Sequence, residues 1–152
     1  MPVRAMEPND IPEVLRLGYQ MHQESVYRRF DYNEDKFARL VCHYMMNPDK
    51  CFTCVSVVNG VVNGVLLGSI DEHYFGHDRV ASDTLWYVTP KSRGSRAGLQ
   101  LLRQFEQWSK DRNAAEIYMG VSTGVNSDKT GGVLQKLGYD VVGGNYKLRV
   151  VV

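Results

Sequence analysis

The stretch YVTPKSRGSRAGLQLLRQFEQWSK, residues 87–110, contains the pattern that determines the fold. It begins as a buried strand and passes through a turn rich in Gly, Ser and basic residues. It then continues as an amphipathic helix whose apolar residues recur at helical spacing, namely Leu101, Leu102, Phe105 and Trp108. A helix that starts directly after such a turn presents unpaired N–H groups at the positive end of its dipole, where phosphate groups bind well. The pattern therefore predicts an anion site between a strand and a helix.

Composition limits the possible classes of protein. A chain of 152 residues is the size of one domain, and we expect residues 1–152 to form a single domain with an enclosed site. The formal charge of +1 gives no global attraction to nucleic acid or membrane, and no apolar run is long enough to span a bilayer. The three cysteines are an odd number and no signal-peptide pattern is present, so we expect a soluble protein of the cytoplasm.

Two patterns resemble redox or metal motifs but lack the context for them. Cys51 and Cys54 form a C-x-x-C within CFTCVSVV, which reads as a strand, so the two side chains point to opposite faces. His73 and His77 form an H-x-x-x-H in the loop-like segment DEHYFGH, without helical context or further ligands. We therefore expect structural cysteines and no metal site.

The predicted elements follow the order strand, two helices, three strands, helix, strand, helix and two strands. Asn9 or Asp10 is expected to cap the first helix. Asn59-Gly60 is the expected hairpin turn, which leaves Gly64 inside the next strand as a bulge or a point of close approach. Hairpins followed by βαβ crossovers predict an α/β (α+β) fold, in which helices cover a mixed sheet.

Two nucleotide-binding motifs can be tested against the turn. A P-loop needs G-x-x-x-x-G-K-[ST], and no Lys-Ser or Lys-Thr follows the glycines between Gly94 and Gly98. A dinucleotide fingerprint needs G-x-G-x-x-G with an acidic residue about twenty positions later. Since neither pattern is present, an unrelated nucleotide-binding module is the weakest interpretation.

Three segments, in the right order, resemble the GCN5-related N-acetyltransferases (GNAT). In that family the loop reads Q/R-x-x-G-x-G/A; Arg93 matches its first position, Gly98 its last, and Arg96 stands where a glycine is usual. NGVVNGVLLG resembles the family hairpin D-G-x-x-V-G-x-x-x-G, and GVLQKLGY resembles the helix end A-L-Y-E-K-L-G-F. The spelling of the loop and helix looks most like members encoded by bacteriophages and their bacterial hosts.

The resemblance implies a fold and a cofactor. The fold is a mixed, mostly antiparallel sheet of about six or seven strands flanked by about four helices. Two strands, DTLWYV and AEIYMGV, would splay apart to form the cleft for acetyl-CoA (coenzyme A). Backbone amides of the loop would cradle the pyrophosphate, the pantetheine arm would lie along the strand that ends at Val88, and Asn126 resembles an asparagine that contacts this arm. The implied cofactor-binding residues are Tyr87, Val88, Arg93, Gly94, Ser95, Arg96, Ala97, Gly98 and Asn126.

Acetyl transfer to an amine needs a base, an N–H donor for the developing oxyanion and an acid for the departing thiolate. Asp83 and Glu72, on neighbouring strands, are the candidate bases, although each could also be an exposed or salt-bridged carboxylate. A backbone N–H near Val88 is the candidate donor. His73 and His77 lie in a segment that could line the acceptor side or be a plain surface loop.

The acid is where the chain departs most from the family. Members often place a tyrosine where the alignment on KLGY puts Leu134, and Tyr139 matches an aromatic that packs in the core. Either the thiolate leaves without a dedicated acid, because a thiol is only weakly basic, or another tyrosine such as Tyr118 or Tyr87 substitutes.

The leading interpretation is an acetyl-CoA-dependent N-acetyltransferase that moves an acetyl group directly to a primary amine of a small molecule or peptide. The alternative is a catalytically degenerate module that binds acyl-CoA and acts through protein contacts. The acidic residues Asp71, Glu72 and Asp78 mildly favour a cationic acceptor, although solvated loop charges explain them equally well. Family habit and the apolar last strand KLRVVV suggest a homodimer.

Overall fold

One sheet forms the centre of the molecule, and the computed structural model describes residues 2–150. Its five strands lie side by side in chain order. Pairing is antiparallel from the first strand to the fourth and parallel between the fourth and the fifth, which confirms the prediction of a mixed, mostly antiparallel sheet. The strands are β1 (Val3–Ala5), β2 (Cys51–Val58), β3 (Val61–Glu72), β4 (Arg79–Val88) and β5 (Ala114–Tyr118).

Four α-helices accompany the sheet within the described residues, as the family resemblance implies. At the start of the second helix, the Asn33 side chain accepts a hydrogen bond from the Lys36 amide. Short 3-10 turns precede the first and third helices and follow the first, at Pro8–Asp10, Pro90–Ser92 and Val26–Arg29. The helices are α1 (Ile11–Glu24), α2 (Glu34–Met46), α3 (Ala97–Asp111) and α4 (Ser127–Lys136).

The long hairpin β2–β3 follows the sequence prediction closely. Asn59 and Gly60 have φ angles of 53° and 76°, the left-handed values that a tight hairpin turn requires. The register shifts between Ser56 and Val57, opposite Gly64, so a bulge is present where the sequence indicated one. A Cβ on Gly64 would lie 3.1 Å from Leu101, so this glycine is also a point of close approach.

Helices pack on both faces of the sheet. Alternating residues of β3 contribute to the two sides, because successive side chains of a strand point in opposite directions. Val65 and Leu67 pack with α1 and α2, whereas Leu66 packs with Leu101 and Phe105 of α3. The sheet therefore separates two hydrophobic clusters, and α3 packs against the second of them.

The predicted total of six to seven strands is wrong, because no strand follows α4 within the described residues. Residues 140–150 were expected to contain two strands around Gly143-Gly144, and this segment has no regular secondary structure and is exposed instead. A strand needs a neighbouring strand to pair with, and none lies alongside this segment. Val151 and Val152, the end of the expected last strand, lie outside the described residues. In the part of the chain that is described, no helix is long and apolar enough to cross a membrane.

Candidate active site

The two strands that the resemblance expected to splay do separate. β4 and β5 pair from Arg79 and Ala114 to Ser82 and Tyr118, and no pairing follows. Beyond this point a cavity of about 370 Å³ opens between the end of β4 and the loop after β5. Backbone groups on this side of β4 therefore face the cavity rather than another strand.

The turn before α3 forms one end of the cavity. Gly94 has a φ of 89°, a left-handed value that favours glycine. The amides of Arg93 and Ser95 donate to carbonyls within the turn, and the Ala97 amide donates to the Ser95 hydroxyl at 3.2 Å. Four other backbone N–H groups at the start of α3 have no acceptor among the described residues. They belong to Gly94, Arg96, Gly98 and Leu99. The turn thus offers several free donors at the start of a helix, the arrangement that binds phosphate.

Arg96, where the family motif has a glycine, is exposed. It stands at the N-cap of α3 with backbone angles that need no glycine, φ −86° and ψ 1°. The side chain can therefore point to solvent while the backbone keeps the course of the turn.

Arg93 does not offer its charge freely to a phosphate. Its guanidinium donates to both carboxylate oxygens of Glu24, the last residue of α1, with one contact at 3.0 Å. Its Nε also donates to the carbonyl of Val88 at 3.0 Å. Arg93 therefore ties the turn both to α1 and to the end of β4, an arrangement that we call the Glu24–Arg93 clamp.

The clamp changes the acid–base properties of its members. Hydrogen bonds from Arg93 hold the pKa of the Glu24 carboxyl below its usual value, although burial acts in the opposite direction. Burial and the neighbouring Glu24 raise the pKa of the buried Tyr87 phenol, whose ring lies under the Arg93 guanidinium at 5.4 Å. Tyr87 is therefore a neutral phenol that lines the cavity next to a paired carboxylate.

The opposite wall joins the 3-10 turn after α1 to the loop after β5. The Tyr27 hydroxyl and the Ser122 hydroxyl are hydrogen-bonded at 2.6 Å, and the Val26 amide donates to the Thr123 carbonyl at 2.8 Å. These residues and Glu24 were not among the sequence-based candidates. For Glu24 a signal existed, because a carboxylate in the last turn of a helix is disfavoured by the helix dipole unless it has a partner.

Asp83 is the one candidate base that the structure brings to the cavity. It lies where β4 and β5 separate, and its Oδ1 accepts a hydrogen bond of 2.8 Å from the Gly120 amide. Burial raises the pKa of the Asp83 carboxyl, with the Gly120 hydrogen bond opposing the shift in part. The register shift between Leu67 and Gly68 leaves Thr84 as an extra residue in β4, directly after Asp83.

Glu72 and the histidines lie elsewhere. Glu72 ends β3 at the far hairpin, where its carboxylate is 3.1 Å from Nδ1 of the exposed His77. His73 lines a smaller, separate cavity beside β5 together with Tyr118. None of these side chains lines the large cavity, so the structure does not bring Glu72 together with Asp83.

Most of the candidate acids also lie outside the large cavity or are buried without a free hydroxyl. Leu134 is buried in α4, and the Tyr139 hydroxyl donates to Glu106 at 2.7 Å, so neither offers a free hydroxyl to the cavity. Tyr118 is exposed, and the nearby Glu116 raises its pKa. Among the tyrosines considered from the sequence, only Tyr87 lines the large cavity. Asn126 lines it as well, from the N-cap of α4 with a φ of 49°.

The C-x-x-C pair has the structural character that was expected. Cys51 and Cys54 lie on β2 as free thiols. Burial raises the pKa of the Cys54 thiol to about 12, so this side chain stays protonated and unreactive at neutral pH. No cluster of metal-binding side chains occurs within residues 2–150.

Comparison with known families agrees with the geometry. The model of the acetyltransferase (GNAT) family matches residues 18–139. The chain belongs to this family. Its members bind acetyl-CoA or CoA, and the matched residues include the turn, the clamp and Asp83. No curated protein sequence matches the chain.

Solved structures show the same fold at low sequence identity. The aminoglycoside antibiotic 6'-N-acetyltransferase AAC(6')-IG from Acinetobacter haemolyticus is 15% identical with a TM-score of 0.75, and the alignment covers 100% of this GNAT chain and 99% of that one. AAC(6')-Iy, in complex with a CoA bisubstrate analogue, is 17% identical with a TM-score of 0.76 over 99% and 97% of the two chains. Glucosamine-6-phosphate N-acetyltransferase from Arabidopsis thaliana is 14% identical with a TM-score of 0.76, over 98% and 97%.

Proposed function

We propose that this GNAT protein is an acetyl-CoA-dependent N-acetyltransferase that acts on a primary amine by direct transfer. The observation that carries the proposal is the cavity between the splayed strands, which has unpaired loop amides at one end and Asp83 at the other. Family membership supports the transferase class, since structural neighbours are named as acetyltransferases.

The residues present fit acetyl-CoA. The free N–H groups of Gly94, Arg96, Gly98 and Leu99 would hold the pyrophosphate, because they converge at the start of α3. Trp86 and Val88 on the open side of β4, with Asn126 opposite, would hold the pantetheine arm. The bound cofactor would supply an activated acetyl thioester.

Asp83 would act as the base. An ammonium group cannot attack a carbonyl, so the acceptor must lose a proton before its nitrogen bonds to the acetyl carbon and the carbon–sulfur bond breaks. A carboxyl whose pKa is raised by burial is a better proton acceptor than an ordinary aspartate at the pH where amines bind. Of the tyrosines considered as substitute acids, Tyr87 lines the cavity, and its phenol is neutral. It would therefore donate the proton to the departing thiolate.

The acceptor that we propose is a primary amine of a small molecule or peptide. Aminoglycosides are natural first choices for screening, because two structural neighbours are named as aminoglycoside acetyltransferases or were solved with an aminoglycoside-type analogue. A cytoplasmic location and the resemblance to bacteriophage-encoded members stay predictions.

The experiment has two stages. Calorimetry with acetyl-CoA tests the cofactor site, and a thiol-release assay over a panel of aminoglycosides, polyamines and peptides tests transfer. We expect binding, release of thiol with at least one amine, and a fall of about 100-fold or more in the transfer rate of Asp83→Asn with unchanged cofactor affinity.

The outcomes separate the alternatives. Binding without thiol release for any amine would favour the degenerate acyl-CoA-binding module. An absence of binding at millimolar acetyl-CoA would contradict both. An Asp83→Asn variant with the wild-type rate and pH profile would show that Asp83 is not the base.

A further inference from the structure

Strand β4 carries one residue more than β3 close to the point where it separates from β5. The register shifts between Leu67 and Gly68, so that Thr84 has no partner residue in β3. Ser82, two residues earlier, is the last residue of β4 that pairs with β5. A bulge of this kind bends a strand and re-aims its side chains, and we call residues 83–85 the β4 bulge. All three residues line the large cavity.

The β4 bulge turns two successive side chains toward the same face of the sheet. In a regular strand, neighbouring side chains point to opposite faces. Here Leu85 packs against the hydrophobic cluster beside α1 and α2, and the Thr84 hydroxyl is hydrogen-bonded at 2.7 Å to the Tyr44 hydroxyl of α2. Thr84 and Leu85 therefore both face these two helices.

Asp83 lies on the other face of the sheet. Its partner in β3 is Gly68, and a Cβ on Gly68 would contact the ring of Phe105 in α3. Paired residues of neighbouring strands project to the same face, so the Asp83 side chain lies on the α3 side. There its Oδ1 accepts the hydrogen bond of 2.8 Å from the Gly120 amide.

The bulge decides which face Asp83 occupies. If Thr84 paired with Gly68, the residues of β4 before it would each move by one position along β3, and Asp83 would turn to the face of α1 and α2. It would then lose the Gly120 amide. The extra residue forms no ladder pair of its own, so a side-chain contact that holds it contributes directly to the choice of register.

Tyr44 provides such a contact from a fixed position. Its ring packs against the hydrophobic cluster of α1, α2 and β3, whereas its hydroxyl is exposed and reaches Thr84. Tyr44 is not among the described residues that line the cavity. It therefore acts on the site only through the backbone of β4.

We propose that Tyr44 is a positioning residue, whose hydroxyl holds the β4 bulge so that the Asp83 carboxyl stays at the Gly120 amide where β4 and β5 separate. Its effect on the rate of transfer rests on the proposed function, in which Asp83 is the base. Its effect on the environment of the Asp83 carboxyl does not, because that environment exists without a substrate.

Single substitutions isolate the contact. Tyr44→Phe removes one hydroxyl and keeps the ring, and Thr84→Val removes the same hydrogen bond from the other side with almost the same shape. Thr84→Ser keeps the hydroxyl and should behave as the wild type. Tyr32→Phe is the matched control, because the Tyr32 hydroxyl donates at 3.3 Å to the Leu15 carbonyl of α1 rather than to β4.

The first readout is the titration of the Asp83 carboxyl, followed by NMR of its carboxyl carbon in the protein without ligand. Burial is the largest cause of the raised pKa of Asp83, and the Tyr139 phenol, which is hydrogen-bonded to Glu106, is a titratable group that senses its charge. Tyr44→Phe and Thr84→Val should each lower the pKa of Asp83 toward the ordinary value, because water reaches the carboxyl more easily. The double variant should have the same pKa as either single variant.

The second readout is thiol release with any amine that the screen identifies. We expect kcat to fall about 3- to 10-fold in Tyr44→Phe and Thr84→Val, the effect of losing one neutral hydrogen bond, while the KM for acetyl-CoA stays unchanged. An unchanged Asp83 titration in Tyr44→Phe would overturn the proposal, as would a Thr84→Ser variant that behaves like Thr84→Val. A shifted titration without thiol release from any variant would support the positioning role and contradict only the proposed transferase activity.

Discussion

The Glu24–Arg93 clamp allows a quantitative test of how the cofactor turn is held. Glu24→Gln keeps the shape of the side chain and removes its charge. The two side chains are 27% and 28% exposed, so the pair lies between the surface and the interior. Loss of a surface pair costs about 0–1 kcal/mol, and breaking a fully buried pair costs about 3–5 kcal/mol. We therefore expect a loss of about 1–2 kcal/mol, which lowers the Tm of a domain of this size by about 2–8 °C.

The effect should depend on pH in a defined direction. Hydrogen bonds from Arg93 lower the pKa of Glu24 in the folded state, so the stabilisation is complete above the ordinary carboxyl pKa. It is lost as the pH falls through the lowered folded-state value. The Tm of Glu24→Gln should therefore lie below that of the wild type at pH 7, and this difference in Tm should be smaller below about pH 4. Asp71→Asn is the control, because its pair with Lys50 is 3.8 Å long and highly exposed.

Cofactor binding supplies the decisive comparison. If the clamp positions the turn, Glu24→Gln and Arg93→Gln should each weaken CoA binding by a similar factor, roughly 5–30-fold for 1–2 kcal/mol, and the double variant should be little worse. If Arg93 instead contacts the pyrophosphate directly, Arg93→Gln alone would weaken binding and Glu24→Gln would strengthen it. That second result would refute the clamp.

Four further substitutions test other parts of the structure. Because burial raises the pKa of Asp83, its ionised form opposes folding at neutral pH, so Asp83→Asn should keep or raise the Tm at pH 7 while it slows thiol release; a lower Tm would contradict this reasoning. Gly68→Ala should lose about 1–3 kcal/mol in chemical denaturation, because the new Cβ would lie 2.5 Å from the buried ring of Phe105. Gly94→Ala should cost about 1–2 kcal/mol because of its φ of 89°. Gly131→Ala in α4, where no atom lies within 4 Å of the new Cβ, should instead raise the free energy of unfolding by about 0.5–1 kcal/mol. If Gly94→Ala and Gly131→Ala changed the stability in the same direction, the φ of Gly94 would not be the cause.

The features that the sequence predicted well depend on local chemistry. Asn59-Gly60 specifies its turn because few other residues adopt left-handed angles, and the spacing of Leu101 and Phe105 specifies the buried face of α3. The fold and its cleft came from the resemblance of several such local segments in order.

The features that the sequence did not predict depend on distant partners. Arg93 pairs with Glu24, which is 69 positions away, and nothing near either residue identifies the other. The resemblance predicted that β4 and β5 splay, but the point at which their pairing stops, after Ser82 and Tyr118, is a property of the assembled sheet. Residues 145–150 show the same limit, since their alternation indicates a strand but does not specify a partner strand.

Helix α3 links two properties that are often separate in enzymes. Its first turn presents the amides of Gly98 and Leu99 to the cavity, and one turn later Leu101 and Phe105 fill the core. Substitutions of Leu101 or Phe105 would therefore change the packing of the core and the position of these amides together.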